Sequence, residues 1–401
     1  MSHSCDCKDL VTTKIYAFSL KPRTFDHDSM QRRNVMIIGV LKETGAGERR
    51  VGLVPVAATA LSALGHTLML EKGAGEGAGF DDAAYTTAGW TVADRATVIA
   101  QSTAVIGVGV PSSNDVSSLR NSQSFVSYIY PRRNAALLAQ LASAGVNTFA
   151  MDAMPRITRA QTMDVLSSQN NLAGYKAVVV GAEALGKIFP LLMTAAGTVT
   201  PSRVLIYGAG VAGLQAIATA RRLGAVVEVT DIRPETKEQV ESLGAKFISV
   251  EGLDQVKIEG GYVAGVTDEL LARQTEAVNK SLFNADLVIL TALVQGGSAP
   301  ILITEEQVSK MKRGSVIVDM ATEAGGNCAL SKHAQTITHN GVRIMGCGNL
   351  AATIPQHASE LYSKNIVNFI KSVATTEGFL FDTSDEVVAS TLVVHNGSVR
   401  A

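Results

Sequence analysis

The chain is poor in the groups that carry most catalytic chemistry. Among 401 residues there are four cysteines, seven histidines and one tryptophan, and aromatic residues make up only 5%. Cys5, Cys7, Cys328 and Cys347 form no CxxC pair, so neither a zinc site nor a disulfide framework is indicated. His66, His333, His339, His357 and His395 show no ligand spacing, and no metal is expected. Charged residues are 18% and the formal net charge is -1, which gives no general attraction to nucleic acid or anionic membrane. The most apolar stretch, residues 178–199, is broken by Glu183, Lys187 and Pro190 and does not make a clean membrane span. Residues 1–34 lack the apolar core of a signal peptide and mix Asp6, Asp9, Asp26 and Asp28 among basic residues. They read as a flexible leader, with an organelle-targeting segment as the alternative.

Small and apolar side chains are abundant: 36 glycines and 46% hydrophobic residues. A chain of this length holds two domains, because single cores stop growing beyond about 250–300 residues. From Val35 onward short apolar runs alternate with helix-like stretches, the pattern of parallel sheets covered by helices. MIIGV (36–40), TLML (67–70), TAVIGVGV (103–110), SFVSYI (124–129) and VNTFAM (146–151) read as strands of a first unit. VLIY (204–207), VVEVT (226–230), KFISV (246–250), DLVILTA (286–292), SVIVDM (315–320) and VRIM (342–345) give six more, the strand count of a dinucleotide-binding fold. Long helices are expected at about 158–189 and 354–374, the second with Leu361, Ile366, Phe369 and Ile370 near one face. A hairpin follows, turning at Asn396-Gly397. The expected fold is α/β: two doubly wound Rossmann-like domains joined by two long helices, with a cleft between them. The first domain comprises 35–163 and 354–401, and the NAD(H)-binding domain 164–353.

The most specific local signal is VLIYGAGVAGLQAIATARRLGAVVEVTD, in which Gly208, Gly210 and Gly213 lie between an expected strand and helix and Asp231 ends the next strand. Gly208 permits the tight turn, Gly210 lets backbone approach a pyrophosphate, and Gly213 allows close helix packing. The phosphate then sits at a helix N-terminus. Asp231 can accept hydrogen bonds from ribose hydroxyls and repels a 2′-phosphate, which favours NAD(H) over NADP(H), while nearby Arg233 argues slightly the other way. Glycine-rich turns at 294–300 and 323–327 follow later strands and border the cleft or are plain turns. Residues 247–265, with Gly260 and Gly261, read as a mobile lid or a surface excursion. Asp319 lines the cleft or caps the following loop.

RITRAQTMDVLSSQ (156–169) gathers polar side chains without a His, Cys or Lys. Thr158 and Gln161 match a capping box, so a helix is expected to start there. On it Gln161, Asp164 and Ser168 share one face, with Ser167 beside it. A capped, solvated helix start accounts for the same residues.

The fingerprint, this motif, IGVLKETGAGERRVGLVP, TALVQGGSAPILIT and VDMATEAGGNCALS together resemble the NAD(H)-binding component of the proton-translocating NAD(P) transhydrogenases, in the alanine dehydrogenase/transhydrogenase family. The likeness runs from about Val35 to the C-terminus. It implies an enzyme subunit that passes hydride directly between NADH and NADP+ held on a partner component, coupled to proton translocation by membrane-embedded partners, and incapable of the full coupled reaction alone. It also implies a homodimer, cytoplasmic and peripheral to the bacterial inner membrane through its partners, or located in a mitochondrion or other organelle. Positions matching the family's nicotinamide-contacting loop are Arg156, Gln161, Asp164 and Ser167. Matching NAD(H)-contacting positions elsewhere are Val211, Asp231, Ile232, Arg233, Gly261, Tyr262, Gln274 and Leu293. Hydride exchange between two nicotinamides needs positioning rather than acid or base groups.

The principal rival is an alanine dehydrogenase, which handles protons beside the nicotinamide. Those enzymes carry a Lys and a His where this chain has Gly109 and Tyr130, although Arg50 resembles their carboxylate-gripping arginine. A non-enzymatic NAD-binding regulatory protein is a third possibility.

Overall fold

Runs of apolar residues become strands with both faces covered, as parallel strands between helix layers require. The computed structural model describes residues 35–250, 257–259, 262–264, 268–293 and 298–400. β1 (Ile37–Val40), β2 (Thr67–Glu71), β3 (Thr91–Ala93), β4 (Ala104–Ile106), β5 (Ser124–Ser127) and β6 (Asn147–Ala150) pair in parallel in the order β3-β2-β1-β4-β5-β6. β7 (Arg203–Tyr207), β8 (Val226–Thr230), β9 (Lys246–Phe247), β10 (Leu287–Leu290), β11 (Val316–Asp319), β12 (Thr336–His339) and β13 (Val342–Gly346) form the second sheet. Its order is β9-β8-β7-β10-β11-β13-β12, parallel except for β12. The parallel strands of both sheets thus repeat the doubly wound 3-2-1-4-5-6 order, with the strand order reversing beside β1 and beside β7. The chain finally returns to the first sheet, where β14 (Leu392–His395) runs antiparallel to β6 and hairpins into β15 (Ser398–Val399). Asn396 and Gly397 supply the left-handed turn, with φ 48° and 73°.

Alternation along β7 sorts side chains into two cores: Val204 and Ile206 join Val178 and Ile217, while Leu205 and Tyr207 join Leu282 and Ile344 on the other face. Sequence reading overlooked β3 and β12. Both are edge strands with half-exposed residues, so neither carries an apolar run.

The first long helix departs from expectation. Thr158–Met163 is a 3-10 turn without a side-chain cap, so the Thr158/Gln161 capping box does not form, and the α-helix α1 spans Val165–Ala184 rather than 158–189. The cause is a tertiary contact. Asn365 and Asn368 donate Nδ2 hydrogen bonds to Thr162 O at 2.8 and 3.3 Å, taking the carbonyl that a continuing helix would use. Asp164 then caps α1: its carboxylate accepts from the Ser167 N–H at 2.9 Å. Gln161 and Asp164 therefore do not share a helix face with Ser168, whose hydroxyl turns away to donate to Asn365 Oδ1 at 2.8 Å.

α2 (Val211–Arg222) follows the fingerprint turn, α3 (Asp268–Asn284) precedes β10, and α4 (Pro355–Val373) is the second long helix. α4 is pinned to the first sheet: Val51 N and Val54 N donate to the hydroxyls of Ser359 and Ser363, and Tyr362 donates to Gly107 O at 2.9 Å. Ile366, Phe369 and Ile370 on α4 are fully buried. No helix among the described residues is long and apolar enough to cross a membrane. The leader 1–34 and Gly260-Gly261 lie outside the described residues.

Candidate functional site

The three fingerprint glycines have three different surroundings. Gly208 has φ 98°, and Thr291 on the neighbouring strand end donates its hydroxyl to Tyr207 O at 3.0 Å, bracing the turn. A Cβ on Gly213 would lie 1.9 Å from Gly208 O, so only glycine lets α2 seat on the turn. A Cβ on Gly210 would meet nothing nearer than Arg233 Nη2 at 4.0 Å. That open side, at the N-terminus of a three-turn helix, fits an approaching pyrophosphate.

Asp231 ends β8 beside this turn, with a side chain only 4% exposed. Its carboxylate accepts from Ala209 N (2.6 Å) and from Arg233 N (2.8 Å), Nε (3.0 Å) and Nη2 (2.9 Å). Burial opposes its ionisation, but the Arg233 guanidinium and the two backbone N–H donors outweigh burial and hold the carboxyl below its usual range. Arg233 thus pairs with Asp231 through Nε and Nη2 while its side chain stays 44% exposed.

Val211, Ile232 and Leu293 are exposed apolar side chains following β7, β8 and β10, at the carboxyl ends where open α/β sheets bind ligands. Gln274 on α3 donates Nε2 to Ile248 O at 3.0 Å, while its buried Oε1 has no hydrogen-bond partner among the described residues. An orphaned acceptor of this kind fits a ligand donor such as an adenine amino group. Gly261 lies outside the described residues, and Tyr262 opens the strand Tyr262–Ala264 that pairs with Lys257–Glu259.

Two framing residues escaped the sequence reading. Thr291 is one. The other is Asn327, fully buried, which donates Nδ2 to Ala292 O and Pro300 O and accepts from Ala292 N, framing the loop that carries Leu293. The glycines at 325 and 326, with φ 108° and 88°, were its only signal. Asp319 takes the capping alternative: it accepts from Ala321 N, Asn327 N and Cys328 N.

In the 156–169 motif, Asp164 and Ser167 lie together at the start of α1, linked also by a hydroxyl-to-carboxylate bond of 2.6 Å. Gln161 and Arg156 are exposed just upstream. Arg159 turns elsewhere, into an ion pair with Asp385.

Arg50 is 4% exposed, and each of its three guanidinium nitrogens donates a hydrogen bond. It grips Glu48 through Nε (2.8 Å) and Nη2 (2.6 Å) and donates Nη1 to Gln169 Oε1 at 2.8 Å. Glu48 also accepts from Asn349 Nδ2, beyond β13, at 3.1 Å. Burial opposes the Glu48 charge, but Arg50 more than offsets it and the carboxyl is held low. Beside this group Gly109 N and Val108 N donate to the carboxylate of Glu43, which burial pushes up despite those bonds.

Two family descriptions match this chain: the alanine dehydrogenase/PNT N-terminal domain over residues 39–173 and the C-terminal domain over 177–401. The chain belongs to the alanine dehydrogenase/PNT family. It is 44% identical over 374 residues to the first part of NAD(P) transhydrogenase subunit alpha of Rhodospirillum rubrum, across 91% of this chain and 97% of that protein. The crystal structure of transhydrogenase from Sinorhizobium meliloti matches with a TM-score of 0.84 and 42% identity, covering 91% of this chain and 100% of that one. Alanine dehydrogenase of Halomonas elongata is 31% identical over 373 residues, across 91% of this chain and 94% of that protein. The boundary between the two family halves falls inside α1, whereas β14 and β15 return to the first sheet. Membership in the alanine dehydrogenase/PNT family embraces both names, so the discrimination rests on side chains.

Proposed function

We propose that this chain is the NAD(H)-binding subunit of a proton-translocating NAD(P) transhydrogenase. The observation that carries this over an amino-acid dehydrogenase is Arg50. An arginine that grips a substrate carboxylate must offer accessible donors, yet this one is 4% exposed and spends three of its five N–H groups, including the bidentate Nε–Nη2 edge, on Glu48 and Gln169. With Gly109 and Tyr130 at the positions of the dehydrogenase Lys and His, the chain lacks the proton-handling pair that an amine-to-keto-acid reaction needs.

Bound NADH supplies a hydride, which passes to NADP+ presented by a partner component. The chain's own task is to hold and orient the coenzyme. The division is between residues 35–163 with 354–401 and the coenzyme domain 164–353. Gly208, Gly210 and Gly213 seat the pyrophosphate, and Val211, Ile232 and Leu293 cover apolar coenzyme surface. Gln274 takes the adenine amino group, with Gly261 and Tyr262 closing over it. Asp231 selects NAD(H) by accepting ribose hydroxyls, for which the half-exposed Arg233 guanidinium yields part of the carboxylate. Gln161 and Asp164 fix the nicotinamide carboxamide and ribose, Ser167 supports Asp164, and Arg156 orders the loop.

The deciding experiment is to add an NADP(H)-binding partner component to the protein and measure transhydrogenation, alongside alanine-dependent NADH formation by the protein alone. Activity only with the partner is the expected result, and alanine oxidation would overturn the reading. Asp164→Ala is expected to lower the reconstituted hydride-transfer rate at least tenfold, since a small misplacement of reacting atoms is costly. An unchanged rate removes Asp164 from the site.

The chain acts as a homodimer, docked on membrane-embedded partners at the cytoplasmic face. The hairpin formed by Leu192–Thr194 and Gly197–Val199 supports self-association: Leu191, Leu192 and Val199 are exposed on or beside it, and Met193 is 75% exposed. Met193→Asp is expected to shift the protein from dimer to monomer in light scattering, while a wild type that is already monomeric refutes the dimer.

A further inference from the structure

Tyr130 follows β5 at the carboxyl end of the first sheet and has a left-handed backbone, φ 50°. The other non-glycine residues with positive φ are Ser122, Ala334, Asn340 and Asn396, so among the described residues only here does a large side chain take this disfavoured conformation. The surroundings enforce it. The Asp152 carboxylate accepts from Ile129 N at 2.8 Å and Tyr130 N at 3.1 Å, and Tyr130 O accepts from Arg133 N at 2.9 Å. Backbone strain that neighbours maintain this firmly points to a side chain whose direction matters.

The ring lies against Tyr128, whose own hydroxyl reaches the start of α1. The Tyr130 ring stacks on Tyr128 with centroids 5.6 Å apart and planes within 4°. Tyr128 is itself fixed, because its hydroxyl donates to Val165 O at 3.2 Å, one residue beyond Asp164. Tyr130 is therefore one stacked ring away from the Asp164–Ser167 cap. From the second sheet Glu323, in the loop after β11, lies close enough for its charge to act on the phenol. Tyr130 remains 36% exposed between these groups.

We propose that Tyr130 is a nicotinamide-binding residue, whose hydroxyl donates a hydrogen bond to the carboxamide oxygen of the coenzyme held between the two sheets. This rests on the reading of the chain as a coenzyme-binding subunit. Burial, then the charges of Asp152 and Glu323, push the phenol pKa further above its ordinary value, which suits it to the donor role. The strained backbone holds the ring in the orientation that the carboxamide requires, without a flexible side chain having to be ordered at binding.

The test compares NADH with ADP-ribose, which lacks the nicotinamide, by titration calorimetry on the full chain. Tyr130→Phe is expected to weaken NADH binding about three- to tenfold, the worth of one neutral hydrogen bond, and to leave ADP-ribose binding unchanged. Tyr130→Gly, which relieves the backbone, is expected to weaken NADH binding in the same selective way while retaining the fold. Equal NADH affinity in wild type and Tyr130→Phe, or an equal loss for both ligands, overturns the proposal and leaves the coenzyme reading standing. A wild type that binds neither ligand overturns both.

Discussion

Gly213→Val is expected to abolish measurable NADH binding, a loss of at least about a hundredfold, and to lower the melting temperature as well. The added Cβ would fall 1.9 Å from Gly208 O, so α2 must lift off the turn whose open N-terminal end is the proposed pyrophosphate seat. Gly210→Ala separates the two consequences. Its backbone is extended, φ -79° and ψ -170°, which alanine adopts freely, and its Cβ meets no atom closer than 4.0 Å. Stability should stay within about 0.5 kcal/mol of wild type, while a methyl group in the phosphate approach weakens NADH binding at least tenfold. Calorimetric titration and thermal melts of the two variants check both halves. Undiminished NADH affinity in Gly210→Ala would move the coenzyme away from this turn.

Removing Arg50 should cost more stability than any of the other substitutions. Arg50→Ala leaves Glu48 buried without its bidentate partner and Gln169 without its donor, and breaking a buried pair costs about 3–5 kcal/mol. Denaturant unfolding measures this, and a loss below about 1 kcal/mol would mean that Glu48 is solvated. The pair also sets an acid limb. Because folding lowers the Glu48 pKa from its ordinary 4.5, its contribution is complete above that value and is lost as pH falls through the lower folded pKa. Glu43 and Asp152 slope oppositely, since folding raises both: the stability they contribute is present in acid and lost as pH rises through their folded values. Subtracting the pH profile of Glu48→Gln from that of wild type isolates the Glu48 limb, which should appear below pH 4.5.

What the sequence made legible was local. Gly208, Gly210 and Gly213 encode backbone geometry within six residues, and their spacing before Asp231 fixes a turn whose surroundings follow from sterics. The central strands of both sheets follow similarly from apolar runs that alternate with helix-like stretches. The start of α1 was misread because Asn365, which takes Thr162 O, lies 203 residues downstream. Arg50 was recognisable as an arginine of interest, but its engagement by Gln169 and the tie from Glu48 to Asn349 bridge 119 and 301 positions and leave no local pattern. Thr291 and Asn327 were invisible for a related reason: each serves a neighbouring loop through two or three side-chain hydrogen bonds that only the folded sheet creates.

The helix α1 carries its Asp164 cap at one end. Ten residues on, about 15 Å at 1.5 Å per residue, Gly174 presses against the fingerprint helix, where a Cβ would lie 2.1 Å from Ala212 O. The same stiff rod therefore touches both the Asp164 cap and the helix that opens at the fingerprint turn. Its length works as a gauge block: neither end can be reset without the other, and under the proposed reading Gly174, far from any reacting atom, would share in setting where a coenzyme head comes to rest.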